Sequence, residues 1–414
     1  MNTLNSLIFI ENSNGASNSS SLKIILGITG SIAAYKAATL VSMLIKRKAN
    51  IHVIMTQNAT KFITPLTFET LSGNKVYTDI FDLSPDYKVK HINLVKDCDI
   101  FLIAPATANI IAKVAHGLAD DILTTSFLAC NSFKMISPVM NTNMYENPIT
   151  LDNISLCKKY GIKIIEPDSG LLACGDSGKG RMPSPEHLLE EIYFEIGYKN
   201  KDLKGKTILI TAGPTQESFD PIRYITNHST GKMGYAIAKR ASYRGANVIL
   251  VSGPVNLTPP LHVKLIKIIS AKDMFEAVKK EANNCDIIIK VAAVADYKPK
   301  YYYEEKIKKK ENEMYIELEK TDDILKYLGD NKKNGQKIIG FSMETVNIEE
   351  NSKQKLINKN LDMIVTNNLK DKGAGFGTDT NLVTFITKND IKKLSLMSKE
   401  KIADEIFNEI LKWK

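Results

Sequence analysis

The stretch LLACGDSGKGRM, residues 171–182, carries three chemistries in close succession. GDSG offers a serine of the kind hydrolases use as a nucleophile. SGKG offers a lysine among glycines, as phosphate loops do, and Cys174 places a thiol directly before a glycine. The serine cue belongs to all-β hydrolases, whereas the surrounding sequence alternates strands with helices. A Walker loop needs Ser or Thr after its lysine and a glycine six positions before it. Lys179 is followed by Gly180, and residue 173 is alanine. Cys174 remains, on a stretch with Gly170, Gly175, Gly178 and Gly180 that reads as a loop able to close over a ligand. A thiol titrates near ~8.5 when unperturbed and is a competent proton donor.

Upstream, GITGSIAAYK (27–36) sets glycines and Ser31 between a strand and a helix, where backbone N–H groups form an anion pocket. Its G-x-x-G-S spacing lacks the full dinucleotide fingerprint. The next strand ends in MTQNA, with Thr56 where a ribose-binding acid belongs. A mononucleotide phosphate therefore fits better than a dinucleotide, and a plain tight turn fits equally. APATAN (104–109) and SPVMNTNMY (137–145) end further strands; small residues there admit a flat ring, and Asn109 and Asn141 add amide donors and acceptors. His91, in KHINLVKD, is a lone histidine of the kind that commonly serves packing.

Past residue 206 a second series begins. ITAGPTQESFDPIRYITNHSTGKMG (210–234) opens with a Gly-Pro turn and ends at a helix start, where Ser229, Thr230 and Gly231 suggest an anion. NHST reads equally as a helix N-cap. KVAAVADYKP (290–299) follows a strand and lets a nucleotide lie close to the backbone. Lys355 and Lys359 stand at i and i+4 on one predicted helix face, where two ammonium groups repel unless an anion bridges them; a triphosphate would suit. The run KIKKK at 306–310 reads on its own as a solvated lysine face.

The elements that must position these residues alternate β-rich and helical segments in both halves. The expected strands are LKIILGIT, NIHVIMT, CDIFLIA and KMISPVM, then KTILITAGPT, CDIIIKVAAVADY, KIIGFSMET and LDMIVTNN. The polar linker GYKNKDLKGK separates the halves. This predicts an α/β fold of two doubly wound, mostly parallel-sheet domains, 21–197 and 204–414, after a disordered extension over 1–20. In such sheets ligands bind beyond the carboxyl ends of the strands.

Composition narrows the partners. An apolar fraction of 43% and a charged fraction of 24% are those of a globular protein. No run of 18 apolar residues occurs, so no membrane partner is expected. The five cysteines are scattered without a CxxC pair, which favours reduced thiols in the cytoplasm over disulfides or zinc. The net charge of +9 is nearly all lysine; arginine stands only at 47, 181, 223, 240 and 244, poor material for reading bases. No nucleic acid is expected, and the basic bias suits anionic small substrates.

GITGSIAAYK, APATAN, PVMNTNMY and ACGDSGKGRM together resemble the FMN-dependent cysteine decarboxylases. From about residue 22 onward the chain resembles the bifunctional phosphopantothenoylcysteine decarboxylase/phosphopantothenate–cysteine ligase family of coenzyme A synthesis. The resemblance implies a flavoprotein-type first half and a Rossmann-like ligase second half. FMN would rest on Gly30, Ser31 and Ile32, near Thr56 and Ala106, Thr107, Ala108 and Asn109. His91 would act as base or positioner, Asn141 would hold the substrate carboxylate, Cys174 would donate a proton, and Arg181 and Met182 would belong to the closing loop. Decarboxylation needs an electron sink, which flavin oxidation of the thiol-bearing carbon would create.

For the second half the resemblance implies CTP with Mg²⁺, its metal ligands unassigned. 4′-Phosphopantothenate would be activated as an acyl cytidylate and taken by L-cysteine. Asn227 would serve the acyl intermediate, Asp296 would bind CTP, Phe341 would meet the base, Lys355 and Lys359 the triphosphate, and Lys306 would stabilise charge in nucleotidyl transfer. A homo-oligomer, a dodecamer, is implied as well. Two departures stand out: Asp120 where Asn is common, and TDDI at 321–324 where the family reads Asn-Pro-Asp-Ile. An FMN-binding regulatory protein, or a decarboxylase of another cysteine-containing substrate, would account for the first half alone.

Overall fold

A computed structural model describes residues 21–81, 90–171, 175–196, 201–307, 314–344, 348–368, 375 and 377–413, without the side chains of 90, 91, 344, 348 and 368. The extension 1–20 lies outside the described residues. The chain divides into two compact units, one ending at Gly197 and the other holding Tyr198–Lys414.

The first unit has strands β1 (Lys23–Ile28), β2 (Asn50–Met55), β3 (Ile100–Ala106), β4 (Phe133–Pro138), β5 (Lys163–Ile164), β6 (Asp168–Leu171) and β7 (Ser177–Arg181). Its helices are α1 (Ala34–Lys46), α2 (Pro65–Ser72), α3 (Lys90–Val95), α4 (Ala108–His116), α5 (Ile122–Ala129), α6 (Thr142–Glu146), α7 (Pro148–Lys159) and α8 (Pro185–Ile196). The first five strands form a parallel sheet in the order β2-β1-β3-β4-β5, with Leu26 between Val53 and Leu102. Helices cover such a sheet on both faces, so its strands read as unbroken apolar runs; β3 is buried along its whole length. On one face Phe101, Ile103 and Ile136 pack with α4, α5 and α7, and Phe101 meets Phe127 edge-on at 5.0 Å. α1 buries a single stripe, Ala34, Ala37, Leu40, Val41 and Leu44, and packs against β2, β3 and α8.

β6 and β7 form an antiparallel ribbon of their own. This corrects the reading of Gly170, Gly178 and Gly180 as loop hinges, because all three lie in its strands. A Cβ on Gly180 would stand 2.2 Å from the Met140 carbonyl oxygen, and one on Gly178 would stand 2.3 Å from the Thr142 hydroxyl. These glycines let the ribbon lie flat against the segment after β4.

The second unit has β8 (Thr207–Ala212), β9 (Gln216–Ser218), β10 (Tyr224–Thr226), β11 (Asn247–Ser252), β12 (Val263–Lys267), β13 (Ile287–Lys290), β14 (Tyr297–Pro299) and β15 (Leu318–Lys320). It continues with β16 (Lys337–Glu344), β17 (Met363–Asn368), β18 (Thr380–Asn381), β19 (Val383–Thr387), β20 (Ile391–Lys393) and β21 (Met397–Ser398). Its helices are α9 (Lys232–Tyr243), α10 (Ala271–Ala282), α11 (Ile324–Asp330), α12 (Ile348–Asn358) and α13 (Lys399–Ile410). Eight strands make the main sheet, β12-β11-β8-β13-β16-β17-β19-β20, parallel as far as β17 and antiparallel at the β19-β20 edge. Alternation decides the two faces: Ile208 and Ile210 of β8 pack towards α9 and α13, while Leu209 packs towards α10, α11 and α12. Among the described residues no helix is long and apolar enough to cross a membrane.

At the end of β11, a Cβ on Gly253 would stand 1.7 Å from the Pro214 carbonyl oxygen, so only glycine admits the turn after β8. We expect Gly253→Ala to destabilise this unit by about 1–3 kcal/mol through overpacking. The check is a lowered midpoint in urea unfolding; an unchanged midpoint would contradict the close approach.

Candidate active sites

In the first unit the strand order reverses beside β1, whose neighbours are β2 and β3, and such switch points open a crevice at the carboxyl ends. Buried Thr29 stitches that crevice: its hydroxyl donates to the Pro105 carbonyl at 2.7 Å and accepts from the Thr107 N–H at 3.1 Å. The next residues turn into α1, with the Ala33 N–H on the Ser31 hydroxyl at 3.3 Å. The N–H groups of Gly30 and Ile32 have no hydrogen-bond partner among the described residues.

A cavity of about 630 Å³ opens there, lined by Ser31, Ile32, Tyr35 and Lys36, by Met140 and Asn141, and by Arg181 and Met182. Ile32 and Tyr35 expose 59% and 61% of their surface, an apolar wall facing water. Lys36 Nζ donates to the Met182 carbonyl at 2.5 Å; burial and then the Arg181 charge lower its pKa. Asn141 caps α6 by accepting from the Asn143 N–H at 2.8 Å, and its amide donates to Asp176 at 3.2 Å.

Ser31, Ile32, Asn141, Arg181 and Met182 are thus brought together. Gly30, Thr56, Ala106, Thr107, Ala108 and Asn109 do not line this cavity. Thr56 spends its hydroxyl on the Ala59 N–H, and Thr107 gives its N–H to Thr29. They lie along the same carboxyl edge, beside the cavity. Cys174 and the side chain of His91, a residue of α3, lie outside the described residues.

Lys179 of the SGKG stretch has a structural partner. Glu166 accepts from Lys179 at 2.8 Å, Lys158 at 3.0 Å and the Tyr145 hydroxyl at 2.7 Å, and the Lys179 ammonium stands 5.1 Å from the Tyr145 ring centre. The lysine anchors β7 to the body of the unit. Burial alone would raise the Glu166 carboxyl, but the hydrogen bonds from Lys179, Tyr145 and Lys158 outweigh it and hold its pKa at about 2. Asp120, the first departure, pairs with Lys113 at 2.7 Å.

The second unit repeats the plan at β8, whose neighbours are β11 and β13. The Thr211 hydroxyl accepts from the N–H groups of Val291 and Ala292, each at 3.1 Å, and Thr215 accepts from Ala295 at 3.0 Å. Two cavities sharing Phe341 lie over these stitched loops. One, of about 180 Å³, is lined by the start of α9, including Ser229, Thr230, Gly231 and Lys232, and by Asn367, Asn381 and Lys399. The other, of about 280 Å³, gathers Lys290, Asp296, Asp322, Asp323, Lys355 and Lys359. Burial, and next the Lys359 charge, pull the pKa of Lys290 down to about 8.

Lys355 and Lys359 do share a cavity, but their geometry corrects the expected repulsion. α12 ends at Asn358, and the Lys359 ammonium is paired with Asp323 at 2.7 Å. Asn227 is exposed and donates its amide to the Ala293 carbonyl at 3.0 Å, at the rim of the smaller cavity. The N-cap alternative fails, since Gly231 takes that position with a left-handed backbone. Lys306 is exposed and lines neither cavity. Its neighbour Ile307 is tethered through an Arg223 bond to its carbonyl at 3.2 Å and its own N–H on Asp220. The Arg223 guanidinium holds the Asp220 carboxyl well below the usual carboxylate range.

Residues 203–413 match the family described as DNA/pantothenate metabolism flavoprotein C-terminal domain, and residues 12–197 match the one described as Flavoprotein. The coenzyme A biosynthesis bifunctional protein CoaBC of Bacillus subtilis is 47% identical over 391 residues, 94% of this chain and 96% of the relative. The chain belongs to the coenzyme A biosynthesis bifunctional protein family. The Haemophilus influenzae member is 44% identical over 388 residues, 94% of this chain and 96% of its own. A crystal structure of the C-terminal domain of a CoaBC protein is 48% identical and covers 51% of this chain and 96% of its own, with a TM-score of 0.44. As a member of this family the chain is a bifunctional enzyme of coenzyme A biosynthesis, a decarboxylase and a ligase.

Within this bifunctional chain, sequence reasoning passed over Lys36, Lys290, Asp323 and Lys399. Lys290 carries a signal that could have been read: a lysine closing the buried run III at the carboxyl end of a parallel strand. The second departure, at 321–324, remains in a cavity wall, where the Thr321 hydroxyl donates to the Ala295 carbonyl at 2.6 Å.

The Glu166 carboxyl is lowered on folding, so its contribution to stability is present above the ordinary glutamate range and is lost as pH falls towards about 2. It is modest, because the side chain is 48% exposed and screened by water. We expect Glu166→Gln to flatten the acid limb of the stability curve in urea titrations below the ordinary glutamate range, with little change at neutral pH beyond the lost ion pairs.

Proposed function

We propose that the chain converts 4′-phosphopantothenate, L-cysteine and CTP into 4′-phosphopantetheine, with its second unit as the ligase and its first as the decarboxylase of the ligated product. The observation that carries this reading is the repeated switch point: each unit sets cation-walled cavities over loops stitched by a threonine. Relatives named as coenzyme A biosynthesis bifunctional proteins support it.

In the first unit the cavity fits an anionic ligand with an apolar ring. Its volume is that of a small-molecule site, two N–H groups stand open at the start of α1, Lys36 and Arg181 supply positive charge, and Ile32 and Tyr35 supply apolar surface. FMN would be held by Ser31, Ile32 and Lys36, with Gly30, Thr56 and the 106–109 segment alongside. When bound it supplies the electron sink that loss of CO₂ requires. Asn141 would orient the substrate carboxylate, His91 would act as base or positioner, Cys174 would return a proton, and Arg181 and Met182 would contact the substrate.

In the second unit CTP would occupy the cavity of Asp296, Phe341, Lys355 and Lys359, its phosphates drawn by cations already held in place. Magnesium would arrive with the phosphates, as it characteristically keeps water and phosphate oxygens as ligands; among the described residues no cluster of three acidic, His or Cys groups is ready for a metal. Asn227 would meet the acyl intermediate, and Lys306 would reach the reacting phosphate from its exposed segment. The enzyme would work in the cytoplasm as a homo-oligomer, a dodecamer.

Incubating the full chain with phosphopantothenate, cysteine, CTP and Mg²⁺ should release pyrophosphate and give phosphopantetheine by mass spectrometry. Cys174→Ser should stop after CO₂ loss and accumulate an enethiol-type product; full turnover would reject the proton-donor role. Lys306→Gln should abolish pyrophosphate release and leave decarboxylation of preformed phosphopantothenoylcysteine intact.

A further inference from the structure

Lys399 opens α13, far along the chain from every motif of the ligase half, yet it lines the smaller cavity and is only 6% exposed. Its ammonium donates to the carbonyl oxygens of Gly375, at 3.1 Å, and Thr378. Its backbone N–H donates to the Asp379 carbonyl at 2.9 Å. Lys232, which opens α9, grips the same stretch: its ammonium donates to the Gly377 carbonyl at 2.7 Å and pairs with Asp379 at 2.8 Å. α9 and α13 pack along each other, and Gly375 itself lines the cavity. Two helix starts thus bring two ammonium groups onto one short wall segment.

Burying an ammonium is costly, and an apolar residue would fill the same space without that cost. A positive charge is worth keeping there if the cavity receives an anion. We propose that Lys399 is a positioning residue of the ligase: by gripping the carbonyls of Gly375 and Thr378 it fixes one wall of the cavity at the start of α9 and keeps positive charge beside the phosphorylated substrate bound there. The proposal rests on the ligase reading above.

Among the described residues, the charges that act on the Lys399 ammonium include Lys232 on α9, which lowers its pKa, and Asp379 on the wall segment, which raises it. Further along the helix seam, Lys239 is paired with Glu400 at 3.1 Å and Arg240 with Asp404 at 2.7 Å. Burial, and next Lys232, lower the Lys399 pKa to about 8. Losing the proton removes the charge and weakens the two carbonyl bonds, since charge-assisted bonds are the stronger kind. Because the unfolded chain keeps that proton to higher pH, its loss stabilises the fold as pH rises above 8. An alkaline weakening of the ligase in this window therefore has the opposite sign to unfolding at this residue.

The test measures kcat and KM for CTP and for phosphopantothenate on the full chain, from pyrophosphate release on both sides of pH 8. In the unaltered enzyme, KM for phosphopantothenate should rise through that pH; KM for CTP, whose proposed cavity holds Lys290 with its own lowered pKa, is the comparison. Lys399→Met should raise the phosphopantothenate KM about tenfold at neutral pH with kcat nearly unchanged, and should flatten its pH profile. Lys399→Arg should keep the neutral KM and abolish the alkaline rise, since a guanidinium stays charged. Decarboxylation of preformed phosphopantothenoylcysteine should be unaffected in both variants. A flat phosphopantothenate KM profile in the unaltered enzyme, or an arginine variant that retains the rise, overturns the proposal. Absence of any CTP-dependent pyrophosphate release from the unaltered enzyme overturns the ligase reading itself, a distinct result.

Discussion

Both sites depend on one constraint: where parallel strands end at a switch point, two loops that diverge in sequence must be joined through their backbones. Thr29 in the first unit and Thr211 in the second stand at those ends, essentially without exposure, each placing one hydroxyl between strand termini. Left unpaired, the backbone groups they satisfy would each cost on the order of 1–3 kcal/mol in a buried setting. The floor of each cavity is therefore fixed before any ligand arrives. Gly253 serves the same end sterically, because any side chain would push the Pro214 turn off that floor.

Charge is handled in the same way in both units. The cavities are walled by Lys36 and Arg181 in one unit, and by Lys290, Lys355 and Lys359, with Lys232 and Lys399, in the other. Several of these are already tied to a carbonyl or carboxylate of the protein, such as Lys36 to Met182, Lys359 to Asp323 and Lys232 to Asp379. Such pairs add little stability as isolated contacts. Their consequence is preorganisation: long side chains are ordered before an anion binds, so less entropy is lost on binding.

The strands were legible because both faces of a parallel sheet are buried and the apolar runs are unbroken. Ser31 and the start of α1 were legible because glycine after such a run marks a turn into a helix. The antiparallel β19-β20 edge was not, since short edge strands lack that signature. The ribbon of β6 and β7 was misread as a hinged loop because glycine looks the same in sequence whether it supplies freedom or close approach; only Met140 and Thr142 lying against it decide for approach. Lys179 was read correctly as no phosphate-loop lysine, but its partner Glu166 is set by tertiary packing and has no mark in the sequence. Lys399 was invisible for a stronger reason: an ordinary lysine at the head of an amphipathic helix reads as solvated until the fold buries it.

That so many of these anchors are lysine rather than arginine follows from what they hold. A guanidinium is a planar fork suited to two parallel acceptors of one carboxylate or phosphate, whereas an ammonium is a compact charge with three donors free to rotate. Gly375 and Thr378 present separate carbonyls to Lys399, and Gly377 and Asp379 present a carbonyl and a carboxylate to Lys232. An ammonium reaches such separate acceptors by turning its three donors about the last bond of a flexible stem. An ammonium also titrates when buried, which a guanidinium does not. Where arginine is used structurally, at Arg223 with Asp220, two of its nitrogens share one carboxylate oxygen, at 2.9 and 2.5 Å, and the contact carries no switchable proton. The lysine-rich composition thus places groups sensitive to pH in the walls of the ligase cavities, while fixed guanidinium contacts secure the scaffold around them.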